Sequence, residues 1–221
     1  MNETQDEVQW DDVVDVICVG STPGVLAYLT ACAASDLDVL HLAAPVEFDD
    51  DTAALVAAMT EDLDPGPGEP EPVTTRAVPD PLRRDARGRP DTLDPFIGEQ
   101  LRIWSARCAG SPFGVMLTEV PGFFVRMRTD DDEIITAAAI PDGAGTDSPT
   151  GTFEGLMYEE GRLAGAVVVG ESGSRIIRAE AGLALPIGPA GQWPASRPLS
   201  LVSRPAGRFA RIEVLESPDH D

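Results

Sequence analysis

The chain has 221 residues, 43% of them hydrophobic, which is enough for one sizeable core and too apolar for global disorder. Its 38 acids face 16 cations, all arginine, for a net charge of −22. So negative a surface repels phosphate backbones and anionic bilayers, which argues against nucleic acid and membranes as partners.

Residues 1–12 form an acidic lead-in from which Trp10 is expected to dock on the fold. Residues 13–19 are an apolar run broken by Asp15, read as one parallel strand buried on both faces. After Gly20, residues 23–34 are helical by composition, with Val25, Leu26, Leu29 and Cys32 on a broad apolar face, and 38–42 reads as a second strand. A further helix is expected over 49–62, where aspartates suit the positive end of the helix dipole.

The stretch 64–95 is dense in proline and predicts a linker or surface excursion with little regular structure. Inside it Arg83, Arg84, Arg87 and Arg89 cluster, either as a solvated basic loop or as a docking arm or phosphate clamp. Residues 95–109 fit an amphipathic helix with Ile97, Leu101, Trp104 and Cys108 on one face.

Strands are predicted over 115–118, 123–128 and 134–139, the last two as a hairpin around the acidic turn 130–133. On such a strand Phe123 and Phe124 point to opposite faces, leaving one exposed unless covered, a pointer to a protein interface. A hairpin turning at Glu160–Gly161 and a strand-like run over 175–188 follow. Residues 189–207 read as loop, and a final strand at 209–215 alternates through Ala210, Ile212 and Val214.

Chemistry-bearing motifs are scarce. Cys18, Cys32 and Cys108 read as buried small hydrophobes, and His41 and His220 stand too far apart for a metal cluster. No P-loop or GxSxG occurs. Tyr28 and Tyr158 are the tyrosines available as acids, and His41 stands where an open sheet would present a ligand crevice. The acidic start and the lack of a long apolar run lead to the expectation of a cytoplasmic chain without a membrane span.

Two segments resemble flavoproteins of the fumarate reductase and 3-ketosteroid dehydrogenase group. The first is DVICVGSTPGVLAYLTACAASDLDVLHLAA, similar to that group's opening strand, glycine turn, helix and strand. The second joins GRLAGAVVV (161–169) to RIIRAEAGLALPIG (175–188), similar to the hairpin and strand by which the family returns to its cofactor sheet. The resemblance implies an α/β fold, a Rossmann-like FAD-domain core with an added β-rich region. It places the FAD pyrophosphate at Gly20, Ser21, Thr22, Pro23 and Gly24.

The motif departs from G-x-G-x-x-G. Gly20 keeps the turn, but Thr22 stands where bare backbone approaches the diphosphate and Val25 stands at the close helix–strand contact, with Gly24 one place early. FAD as cofactor and a site that has lost it therefore both stay open at this point. The expected organisation is a strand–helix–strand unit over 1–63, a linker over 64–94, and a helix plus β-rich remainder over 95–221 on the same core. The resemblance implies a non-catalytic accessory subunit of a larger flavin dehydrogenase chain, of steroid type, in a hetero-oligomer. Its alternative is an FAD-binding oxidoreductase subunit completed by that partner. No catalytic or metal-binding residue is assigned.

Overall fold

The computed structural model describes residues 8–44, 46–61, 63, 73–78, 98–129, 133–141, 151–187, 191–195, 198–205 and 207–216. The run at 13–19 belongs to two strands rather than one. β1 (Asp12–Val14) and β2 (Val16–Val19) part at Asp15 and enter different sheets. Asp15 holds the break. Its carboxylate accepts from the Asp38 N–H at 2.8 Å, and its own N–H donates to the Asp38 carbonyl at 3.0 Å.

β1 runs parallel to β10 (Gly173–Ala179) at the edge of a four-stranded sheet. The antiparallel strands β9 (Arg162–Gly170) and β8 (Thr152–Glu159) complete it. β2 lies between β3 (Val39–Leu42) and β11 (Leu183–Pro186), parallel to both, in a nine-stranded sheet. From β11 that sheet continues through β5 (Gly114–Leu117), β13 (Phe209–Glu216), β12 (Leu199–Ser203), β7 (Ile134–Ile140) and β6 (Val125–Arg128), each antiparallel to the last. β4 (Thr74–Ala77) adds in parallel along the C-terminal half of β13.

This architecture overturns the expectation of an α/β, Rossmann-like core. Among the described residues 13 strands accompany three helices, so the molecule is mostly β. A parallel sheet needs a crossover between successive strands and helices over both faces. Here α1 (Pro23–Ala33) makes that connection between β2 and β3, and the remaining strands pair mainly in antiparallel. The β-rich region expected as an addition is the body of the fold. The second resembling segment does bring the chain back beside the first, with Leu183 opposite Ile17 and Ala184 opposite Cys18.

Local chemistry explains the other elements. α2 (Asp50–Thr60) starts where expected, with the Asp49 carboxylate accepting from the Thr52 N–H at 3.3 Å. The hairpin between β8 and β9 turns on Glu160 and Gly161, both at positive φ (50° and 74°), the conformation of a two-residue hairpin loop. α3 (Glu99–Ala109) buries Trp104 and Cys108, while Ile97 lies outside the described residues. Two strands stand in segments read as irregular, β4 in the proline-rich stretch and β12 between Pro198 and Pro205. Phe123 and Phe124 precede β6 and stack on each other at 4.9 Å instead of splaying. Trp10 docks as expected, donating to Glu159 Oε1 at 3.3 Å, with the Arg178 guanidinium 5.7 Å from its ring.

Strand alternation sorts the core into layers. Val16 and Cys18 face α1 together with Val115, Leu117, Leu201 and Ile212. Ile17 and Val19 face the other way, toward Trp104 of α3 and Phe153, Val168 and Ile177 of the four-stranded sheet. The nine-stranded sheet is thus the middle layer. α1 is apolar nearly all round because it is buried nearly all round. No helix among the described residues is long and apolar enough to cross a membrane.

Candidate functional site

The residues to which the resemblance assigns a cofactor form the turn from β2 into α1. Gly20 sits at φ +81°, a conformation that favours glycine, and its N–H donates to the Leu42 carbonyl at 2.8 Å. His41 braces the same turn. Its Nε2 lies 3.0 Å from the Gly20 carbonyl, which only accepts, so Nε2 carries the proton. His41 is buried in this role and does not present its ring to an open crevice. Ser21 is exposed, and its hydroxyl donates to the Ala43 carbonyl at 3.0 Å.

Thr22 is the N-cap residue of α1 by backbone geometry, yet its side chain caps no N–H and its Oγ1 is shielded from solvent. Pro23 occupies the first turn and removes one of the amide donors that an anion would use there. Gly24 has a packing role. A Cβ at this position would overlap the carbonyl oxygen of Gly114, so β5 runs directly against the helix. The close helix–strand approach expected at position 25 is thus made by Gly24, and Val25 is a fully buried core side chain. At Gly20 a Cβ would meet Pro186 Cγ at 3.4 Å and Val46 Cγ2 at 3.5 Å, so side chains of this chain already line the turn.

The tyrosines divide. Tyr28 is wholly buried and its hydroxyl is pushed far above its ordinary pKa, first by burial and then by the Cys32 and Cys18 thiols. It has no access to exchange protons with a ligand. Tyr158 is 43% exposed, and its pKa is raised by partial burial and then by Asp51 and Asp49. All three thiols are free and buried, and burial pushes Cys32 up to about 12. Inert small hydrophobes fit that environment. Among the described residues no three or more His, Cys, Asp and Glu side chains gather to hold a metal. Arg83, Arg84, Arg87 and Arg89 lie outside the described residues.

The densest polar constellation was not foreseen from the sequence. Glu213, with no exposed surface, pairs with Arg76 at 2.8 Å and with Arg211 at 2.8 Å. Glu133 pairs with Arg76 at 3.2 Å and with Arg204 at 2.8 Å. Arg204 and Arg211 also lie 4.9 and 5.1 Å from the Trp104 ring, whose Nε1–H donates to the Phe209 carbonyl at 3.1 Å. Burial raises the Glu133 carboxyl, but Arg204 and Arg76 outweigh it and hold the group below the usual carboxylate range. These pairings leave each of the three guanidiniums beside a carboxylate and tie β4, β7, β12 and β13 to α3. The signal available was the spacing of Arg211 and Glu213, two apart on one strand and so on one face. Alternation through Ala210, Ile212 and Val214 does not reveal that the face carrying Arg211 and Glu213 is buried as well, under α3.

No protein-family model, curated protein or solved structure matches the chain.

Proposed function

We propose that the chain is a non-catalytic accessory subunit, working in the cytoplasm as the companion of a larger flavin dehydrogenase. The observation that carries this reading is the lining of the β2–α1 turn by Pro186 and Val46, with Gly24 committed to β5. A dinucleotide needs open main chain at that turn, and such a site is built from glycines that face the ligand rather than a neighbouring strand. The burial of Tyr28 and of the three thiols, and the mutual pairing in the charged ring, also support a role without chemistry of its own. The partner class, and its steroid-like or other hydrophobic ketone substrates, rest on the resemblance of residues 14–45 and 155–188 alone. The charge of −22 supports a protein partner over nucleic acid or an anionic membrane.

Affinity purification of the tagged chain from its own host tests this. A larger flavin-containing chain is expected to accompany it in fixed proportion. Flavin-dependent dehydrogenation by the purified chain alone would refute the reading.

One observation favours a second reading, an FAD-binding subunit completed by its partner. Gly20 retains positive φ and Ser21 is exposed beside the start of α1. Absorbance near 450 nm on the gently purified chain separates the two. A stoichiometric flavin band supports the second reading, and its absence supports the first.

A further inference from the structure

A cleft of about 490 Å³ opens where the β8–β9 hairpin meets α2, the end of β5 and the residue before β13. Its size falls in the range of small-ligand sites. Leu55 and Met59 of α2 and Leu163 of β9 give it apolar wall. Arg162 reaches it from the hairpin, just past the positive-φ Gly161, and Arg208 reaches it from the connection into β13.

Among the described residues four arginines make no ion pair, Arg107, Arg126, Arg162 and Arg208, and the last two are the ones that line this cleft. Arg76, Arg102, Arg175, Arg178, Arg204 and Arg211 each meet a carboxylate. Among the described residues neither Arg162 nor Arg208 does, although Glu119 lines the same cleft. In a chain with 38 acids, two arginines from distant segments line one cleft together with apolar side chains and a single acid, Glu119. The acids at hand limit what the arginines can hold. Glu119 offsets part of their charge, and Asp51 and Asp49 act on Tyr158 at the rim.

The geometry points to a binding site for a small amphipathic monoanion, a single carboxylate carried on an apolar body. The guanidiniums take the carboxylate through charge-assisted hydrogen bonds, and the α2 and β9 side chains take the body. The site is separate from the β2–α1 turn, so it stands or falls independently of the accessory-subunit reading.

Titration calorimetry of the full chain with octanoate, octanol and acetate tests it. Octanoate is expected to bind at least about tenfold more tightly than either of the others, since each of them lacks one half of the match. Arg162→Ala and Arg208→Ala should each weaken octanoate about tenfold and leave octanol unchanged. Both side chains are exposed, so the variants should fold, and circular dichroism checks that they do. Leu55→Glu, which adds a carboxylate to the wall, should weaken octanoate more than octanol. Equal binding of octanoate and octanol, or octanoate binding unaffected by both arginine substitutions, would overturn the assignment.

Discussion

α1 and α3 cover opposite faces of the same sheet, and each is 11 residues long. Beneath α1 the layer is built of apolar side chains together with Tyr28, Cys18 and Cys32. Beneath α3 lies a closed circuit of two carboxylates, three guanidiniums and an indole. One face is held by shape, the other by charge. Shape fails when volume is added, and charge fails when one partner is removed.

Glu213→Ala should cause the largest loss, because it strands Arg76 and Arg211 beside a cavity. Destabilisation of about 4 kcal/mol is expected in urea unfolding, where breaking a buried ion pair typically falls. Gly24→Ala attacks the α1 face through the backbone of Gly114, which cannot yield as a side chain tip would. About 3 kcal/mol is expected from the same assay, and a change under about 0.5 kcal/mol would show that helix and strand are not in contact. Acid should distinguish the faces next. The folded carboxyl of Glu133 lies below its ordinary value, so its contribution is whole above the unfolded carboxylate pKa, about 4.3, and is lost as pH falls through the folded value. The Tm gap between wild type and Glu133→Gln should therefore be widest near neutrality and close toward acid. Tyr28→Phe should do least, under about 1 kcal/mol, since the hydroxyl it removes has no hydrogen-bond partner of ordinary geometry.

The same contrast explains what could be read from the chain before its structure. The turn, helix and strand at 20–42, the acidic start of α2 and the Glu160–Gly161 turn were legible because each follows from a few adjacent residues. The fold class was not, because it depends on which strands meet, and β2 meets β11 far along the chain. β4 is four residues long and owes its existence to β13. The charged circuit was hidden for a related reason. Arg76, Glu133, Arg204 and Glu213 come from four strands or strand ends, and β13 looks one-sided until α3 is known to lie over it. At the turn, Gly20 was legible as punctuation, but Pro186 and Val46 beside it come from elsewhere in the chain.

The split of one apolar run at Asp15 reaches beyond architecture. β1 waits for β10, and β2, which meets β3 early, waits for β11 on its other side, so both complete their pairing only when segments far along the chain are in place. Closure over such a separation is slow, and until it occurs β1 and one side of β2 present bare hydrogen-bonding edges of the kind a chaperone recognises.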